Sequence, residues 1–256
     1  ISVSINNNVI YLTGTQLLAI NSAAQVLANG TTGGSIYFSA PTINTHAGSV
    51  VQANGNNGPG GVIAFSGDQI IVSGNMTANG STDGGAITLI ANNGDLIIQN
   101  SLIQTNGAAG RGGQIGIAAT NYTSIESSTI EATGHNQRGQ TLIGTDANKA
   151  NTPNALPFSI FTNLDANSVI KANQTNLANT TGGGFIETSG QTLRMLASIN
   201  AGRGGMWLLD PNNVVISGTT PTTTTTTASS ATLGSTSPTT TLASWLIAST
   251  TPATLL

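Results

Sequence analysis

The chain has 256 residues, of which only 6 % are charged, and its formal net charge is −3. An average globular domain has about 25 % charged residues, so Asn, Thr and Ser must supply most of the polar surface here. The six Lys and Arg residues form no basic run, which excludes the electrostatic footprint of a nucleic-acid-binding protein.

The first ten residues, ISVSINNNVI, lack the basic and apolar regions of a signal peptide, so we expect no leader in this segment. There is no run of about 18 apolar residues, so we expect no membrane-spanning helix. The absence of cysteine excludes disulfide bonds and thiolate metal sites. It also suits a chain that crosses membranes unfolded.

Glycine pairs recur along the chain, and a short apolar alternation follows most of them. After Gly33 come Ile36 and Phe38, and after Gly60 come Ile63 and Phe65. Alternation at a period of two is typical of a strand with one buried face. The pairs are Gly33-Gly34, Gly60-Gly61, Gly84-Gly85, Gly112-Gly113, Gly183-Gly184 and Gly204-Gly205.

A second phrase, an apolar residue followed by a spacer and usually Ala-Asn-Gly or Thr-Asn-Gly, precedes most pairs. Its apolar anchors are spaced by 25, 25, 27, 27, 40 and 29 residues. A third apolar stretch, such as residues 70–72 or 96–98, lies between the two phrases. The anchors are Val26, Val51, Met76, Ile103, Ile130, Ile170 and Ile199.

This period predicts an all-β, right-handed parallel β-helix with about three short strands in each of 7–8 coils. Asn and Gly tolerate positive φ and so suit the corners between strands. We expect the anchors to form one interior column, and Ile36, Ile63, Ile87 and Ile115 to form another. The 40-residue spacing contains Pro153 and Pro157, which indicates a loop inserted at about residues 144–160.

The composition changes at residue 219, so we assign residues 1–218 to the solenoid. Residues 219–241 are a low-complexity Thr/Ser/Pro stretch, which is typical of a linker. Residues 241–248, TLASWLIA, are predicted to be a short helix or an apolar strip covering the last coil, because open solenoid ends need caps. A disordered end remains the alternative for residues 219–256.

Residues 182–218 resemble a recurring segment of filamentous-haemagglutinin-like exoproteins, the secreted partners of two-partner secretion systems. The family's GGxIETSG-type phrase corresponds to residues 183–190, and its GGxWLIDPxNVTI-type phrase to residues 204–216. Residues 20–140 match only as generic Gly/Asn-rich coils. The resemblance implies secretion through an outer-membrane β-barrel transporter, folding outside the cell as a long right-handed β-helix, and a role as an adhesin, haemagglutinin or toxin-delivery stalk.

One departure from the family pattern concerns its N-terminal secretion domain. That domain has NPNL- and NPNG-type motifs, and neither occurs in this sequence. The chain is therefore expected to lie downstream of that domain or to be a divergent relative.

Catalytic, cofactor and metal sites are not expected. The sequence contains no GxSxG, HExxH or Gly-Lys phosphate-loop motif, and its two histidines, His46 and His135, lie far apart. Asp68 and Asp95 are the best candidates for a stacked acidic pair, because each leads into the middle strand of its coil. Arg111 and Arg203 occupy equivalent AGRGG positions, for which a solvated corner is favoured over a ligand contact. We expect Trp207 to lie in the core or end layer rather than to form a sugar platform.

These observations predict a structural and adhesive β-helix segment of a large secreted protein at the bacterial cell surface. Its expected partner is the outer-membrane transporter, and a host surface, a glycan or further copies arranged end to end are the other candidate partners. A self-assembling extracellular filament subunit and a polysaccharide-processing β-helix enzyme are the alternatives. Asn-x-Ser/Thr sequons start at Asn29, Asn75, Asn79, Asn121, Asn173 and Asn179, but many arise by chance in so Asn-rich a chain.

Overall fold

A computed structural model describes residues 2–144, 156–176, 183–211 and 245–248. In these residues the secondary structure consists of strands, so none of them offers an apolar helix able to cross a membrane. In chain order the strands are β1 (Ser2–Asn6), β2 (Val9–Thr13), β3 (Leu17–Ile20), β4 (Gln25–Leu27), β5 (Ser35–Ser39), β6 (Thr42–Thr45), β7 (Val50–Gln52), β8 (Val62–Gly67), β9 (Gln69–Val72), β10 (Asn75–Thr77), β11 (Ala86–Ala91), β12 (Leu96–Gln99), β13 (Leu102–Gln104), β14 (Gln114–Ala119), β15 (Tyr122–Glu126), β16 (Thr129–Glu131), β17 (Gln140–Ile143), β18 (Phe161–Leu164), β19 (Val169–Lys171), β20 (Phe185–Gly190), β21 (Thr192–Met195), β22 (Ser198–Asn200), β23 (Met206–Pro211) and β24 (Trp245–Ala248).

The strands stack into three parallel sheets, so the architecture is the predicted parallel β-helix. Sheet A has the order β1-β2-β5-β8-β11-β14-β17-β20-β23. Sheet B contains every third strand from β3 to β21, followed by β24, and sheet C contains every third strand from β4 to β22. Each coil contributes one strand to each sheet. Seven complete coils, from β2–β4 to β20–β22, are described, and β23 begins an eighth.

The interior of the rod consists of columns of aligned apolar side chains. The seven predicted anchors pair in register from Val26 to Ile199 and form the sheet C column. In sheet A, Ile36, Ile63, Ile87 and Ile115 pair in the predicted order. The strand spacing of about 4.8 Å brings each side chain against its equivalent in the next coil. The rings of Phe38 and Phe65, for example, stack with centroids 4.3 Å apart.

The 40-residue spacing does not interrupt this register. Ile130 pairs with Ile170 across it, although β17 ends at Ile143 and β18 begins at Phe161. The extra residues therefore belong to the connection between β17 of sheet A and β18 of sheet B, and the coils on both sides of it stay in register. Of the loop assigned to residues 144–160, residues 145–155 lie outside the described residues.

The glycine pairs occur where the chain turns from sheet C into sheet A. A Cβ added at Gly61 would lie 1.9 Å from the carbonyl oxygen of Gly34, and one added at Gly85 would lie 2.1 Å from that of Gly61. A Cβ at Gly113 would lie 2.1 Å from the carbonyl oxygen of Gly85. Since these contacts are backbone atoms of the coil before, only glycine lets successive coils approach so closely.

A second corner, from sheet B to sheet C, uses the left-handed backbone region. The residue three positions before the anchor has positive φ in four coils: Ala23, Gly48, Asn100 and Ser127. The prediction that Asn and Gly serve the corners is therefore confirmed in part, because Ala23 and Ser127 also occupy this conformation at values of 64° and 47°. A β-carbon there costs about 1–2 kcal/mol.

An asparagine ladder connects neighbouring coils beside the anchors. The side-chain oxygen of Asn29 accepts the backbone N–H of Asn54 at 2.7 Å, and Asn54 and Asn79 repeat the pattern one coil further on at 2.8 and 2.7 Å. The ladder ends at Asn106, whose oxygen accepts both the backbone N–H and the hydroxyl of Thr133. These bonds explain the repeated Asn-Gly phrase, because a carboxamide oxygen satisfies a corner N–H that no strand pairs.

Antiparallel strands cover two of the sheet edges. β1 pairs with β2 at the first edge of sheet A, and β24 pairs with β21 at the last edge of sheet B. The backbone at 245–248 is thus a strand rather than a helix. The rest of the Thr/Ser-rich segment, including the boundary at residue 218, lies outside the described residues, so its assignment as a linker and cap stays a prediction.

Candidate interaction surface

The titratable side chains of the described residues are dispersed over the rod. In this part of the chain no three His, Asp or Glu side chains lie close enough together to hold a metal ion. His46 lies exposed at a corner, and the imidazole of His135 contacts the hydroxyl of Thr175 at 3.4 Å. Neither ring faces an acid–base partner.

The expected stacking of Asp68 on Asp95 is wrong. Ile70 pairs with Leu96, which places Asp95 opposite Gln69 and one residue out of step with Asp68. Asp68 instead accepts a hydrogen bond of 2.7 Å from the side-chain amide of Asn93. The coil containing Asp68 is shorter than the next coil, so equal positions relative to the middle strand cannot be read directly from the sequence.

Trp207 lies where expected, at the last layer of the core. It pairs with Ile186 in sheet A and packs against the buried cluster. Its indole N–H donates a hydrogen bond of 3.0 Å to the hydroxyl of Thr188. The partly buried ring is therefore held against the last described layer of the core.

An outer groove of about 810 Å³ runs along the corner between sheets C and A from coil 5 towards the last described coil. Two guanidinium groups, those of Arg111 and Arg138, line it. Its remaining side chains are three glutamines and three apolar residues, namely Gln114, Gln137, Gln140, Phe185, Met206 and Leu208. We call this cavity the arginine groove.

Strand pairing places the groove side chains in a single row. Gln114 pairs with Gln140, Gln140 with Phe185, and Phe185 with Met206. Arg111 bridges to Gln137 in the corner beside that row. The prediction that Arg203 lies at a solvated corner is consistent with its exposed side chain. Arg111, in contrast, also lines a cavity that the sequence does not reveal.

A smaller cavity of about 350 Å³ continues the arginine groove towards the first coils. The two share Arg111, Gly112, Gly113 and Gln114. Asp83 is the acidic residue among its described lining residues. The carboxylate of Asp83 accepts the backbone N–H of Arg111 at 2.7 Å, so it is engaged with the corner.

The outer face of sheet C has a polar row centred on Glu131. This carboxylate accepts hydrogen bonds from Lys171 at 2.8 Å and Gln104 at 2.6 Å, and a longer one from Asn106. Burial favours the neutral acid, but the donors and the ammonium charge outweigh it and lower the pKa of Glu131 below its usual range. Burial raises the pKa of Asp210, on β23 of sheet A.

The returning end of the inserted segment covers part of the outer face of sheet A. Leu156 packs with Ala118 and Leu142 in a buried cluster separate from the main core, with Ile90 and Phe185 at its margin. The buried hydroxyl of Ser159 bonds the carbonyl of Ala119 at 2.8 Å. Sheet A is therefore sandwiched at coils 5 and 6, beside the arginine groove.

The sequons differ in how their side chains are used. Asn79 is committed to the asparagine ladder, and its amide also donates to Gln104 at 3.3 Å. Asn29 serves the same ladder, and Asn75 accepts the backbone N–H of Leu102. Asn121 is exposed, whereas Asn179 lies outside the described residues. Hydrogen bonding between coils thus explains several asparagines that match the sequon pattern.

No protein-family model and no curated protein matches this chain. Among solved structures, the crystal structure of the HMW1 secretion domain from Haemophilus influenzae is similar, with a TM-score of 0.57 and 18 % sequence identity. The similarity covers 77 % of this chain and 56 % of that one, so the chain spans just over half of its neighbour's length. At this identity the likeness shows a common fold.

Proposed function

We propose that this chain is a structural and adhesive β-helix segment of a large, secreted, filamentous-haemagglutinin-like exoprotein of the bacterial surface, and that it performs no catalysis. The observation that carries the proposal is the unbroken register of seven coils, with the polar ladders on the outside and the apolar columns inside. Such a stack is a stiff rod whose stability is roughly a sum over coils and their interfaces.

The two phrases that suggest this family become neighbours in the structure. Residues 183–190 contain β20, and residues 204–216 contain β23; these strands pair in register from Phe185–Met206 to Gly190–Pro211. Two sequence phrases that lie one coil apart are expected wherever two strands stack on each other in successive coils. The match to a solved secretion domain supports the same family on independent grounds, since it rests on backbone shape rather than on those phrases.

The outer-membrane β-barrel transporter is the proposed partner in export. The lack of cysteine means that no disulfide hinders passage of an unfolded chain. Each emerging coil would pair with the coil before it and bury its own apolar column, so folding outside the cell needs no other energy source.

The adhesive role is tested with beads coated with the purified chain and passed over epithelial cells under flow. Retention above that of albumin-coated beads is expected, and retention equal to albumin would contradict the adhesive role. The absence of catalysis is tested separately by incubating the chain with polyuronates and neutral glycans. Release of reducing ends or unsaturated products would support the enzyme alternative instead.

A second candidate, a filament subunit, is favoured by exposed apolar side chains on β1, β3 and β4. Val3 and Ile5 are 58 % and 71 % exposed, and Leu17 and Leu27 on the first edges of sheets B and C are also exposed. Unpaired edges with apolar side chains invite end-to-end association. Sedimentation of the purified chain distinguishes the two roles. The sedimenting species of a filament subunit increases in mass with protein concentration, whereas that of a stalk segment does not.

A further inference from the structure

The arginine groove has the chemistry of an anion site that the fold itself does not need. Of the six Lys and Arg residues in the chain, two line this one cavity. Neither guanidinium forms a hydrogen bond or ion pair with any described residue, and no Asp or Glu is among the described residues that line the groove. The two exposed arginines therefore contribute no hydrogen bond or ion pair of their guanidinium groups to the described part of the rod.

The neighbouring side chains add features that a simple ion site lacks. Gln114 and Gln140 are stacked across adjacent strands and present amide donors and acceptors side by side. Phe185 follows Gln140 in the same row and is partly buried, with Met206 beyond it. Amides suit hydroxyl groups, and an aromatic face with a thioether beside it suits the C–H face of a sugar ring.

The direction of the groove matches a linear ligand. It runs along the rod axis, and each coil advances it by about 4.8 Å, a step comparable with one sugar ring. The smaller cavity that shares Arg111 and Gln114 extends the same path over further coils, and the carboxylate of Asp83 in its lining is engaged by the backbone N–H of Arg111. Repeated equivalent positions along such a path suit a polymer of repeated units.

From these features we propose that the arginine groove binds an acidic glycan, with the guanidinium groups of Arg111 and Arg138 holding carboxylates of uronate-type sugars and the Gln and Phe side chains contacting the rings. Guanidinium pairs with carboxylate in a bidentate geometry that a lysine cannot reproduce. The proposal rests on the adhesive role above and gives it a ligand class. A sulfated glycan is also negatively charged, and the experiment below distinguishes it from a uronate-type glycan as the ligand.

The test is isothermal titration of the full chain with three probes: a galacturonate hexasaccharide, a heparin-derived hexasaccharide and neutral maltohexaose. The double variant R111Q/R138Q removes the groove charges, and R194Q/R203Q removes two charges elsewhere; Arg194 lies in sheet B and Arg203 outside the groove lining. Far-UV spectra and melting curves establish that each variant is folded.

We expect the wild type to bind the galacturonate probe, R111Q/R138Q to weaken binding by about tenfold or more, and R194Q/R203Q to leave it within about twofold. R111K/R138K should restore only part of the affinity, because charge returns without the fork geometry. Absence of binding, equal loss in both double variants, or binding of the heparin probe alone would each overturn the proposal. Bead adhesion that persists in R111Q/R138Q would leave the adhesive role intact while rejecting this groove as its site.

Discussion

Replacing Gly85 with alanine should destabilise the rod severely, although only one methyl group is added. The new Cβ would lie 2.1 Å from the carbonyl oxygen of Gly61, 2.7 Å from the carbonyl carbon of Gly60 and 2.9 Å from the carbonyl oxygen of Ala78. All three neighbours are backbone atoms, those of Gly60 and Gly61 in the preceding coil and that of Ala78 in the same corner, so no side-chain rotation relieves the overlap. The coils must separate by roughly 1 Å to restore van der Waals contact.

The cost has two parts. Overpacking of this kind costs about 1–3 kcal/mol. Separation also stretches the 2.9 Å bond from the Ala86 N–H to Gly61 of the preceding coil, which contributes about 1 kcal/mol. We therefore expect the free energy of unfolding to fall by about 2–4 kcal/mol.

Urea unfolding followed by far-UV circular dichroism measures this loss, with Gly116→Ala as the matched control. The three atoms nearest to a Cβ at Gly116 would all belong to the Leu156 side chain, the closest at 3.3 Å, so a loss of about 1 kcal/mol or less is expected. A Gly85→Ala protein within 1 kcal/mol of the wild type would refute the claim that close backbone approach dictates the glycine pairs.

Three further substitutions test other contacts between coils. Glu131→Gln should weaken the loss of stability at acidic pH. Because the pKa of Glu131 is depressed in the folded state, the stabilisation by its carboxylate is present above the ordinary pKa of 4.5 and is lost as pH falls through the folded value. Thermal melts of both proteins from pH 7 to pH 3 check this, and parallel curves of melting temperature against pH would contradict it. Ser127→Gly should raise stability by about 0.5–1 kcal/mol, because φ at this position is 47°. The control Ser73→Gly, at the equivalent position without positive φ, should lower stability in the same denaturant titration, and a gain at both sites would show that backbone strain is not the cause. Asn79→Ala should lower the free energy of unfolding by about 2 kcal/mol, because it leaves a backbone N–H of the next coil unpaired. Asn29→Ala, at the exposed start of the asparagine ladder, should lower it less. Equal losses of the two variants in urea titrations would argue against the ladder.

The fold could be predicted from the sequence because a parallel coil repeats its chemistry at one period. The anchors from Val26 to Ile199 are apolar at nearly constant spacing, and each must face the interior for its neighbours to pack. An insertion alters the spacing but not the register, since Ile130 and Ile170 are held by the strands on both sides.

The surface could not be predicted to the same extent. Misplacing Asp68 against Asp95 followed from counting positions in coils of unequal length, where a shift of one residue at a corner changes the neighbour. The arginine groove depends on Arg111 and Arg138 lying in consecutive corners, although only Arg111 belongs to an AGRGG phrase. The cover that Leu156 provides over sheet A arises from a segment outside the repeat, for which no period exists.

Chemical crosslinking across the insertion tests the central claim, a continuous coil register, most directly. The chain has no cysteine, so the pair E131C/K171C can be introduced alone at positions that pair on the outer face of sheet C. Equivalent positions on adjacent strands lie about 4.8 Å apart, within disulfide reach. We expect rapid oxidation of E131C/K171C to an intramolecular disulfide, as fast as that of Q104C/E131C in the uninterrupted coils, and no such bond in E131C/N173C. Failure of E131C/K171C to close, or equal closure of E131C/N173C, would contradict a single β-helix running through both sides of the insertion.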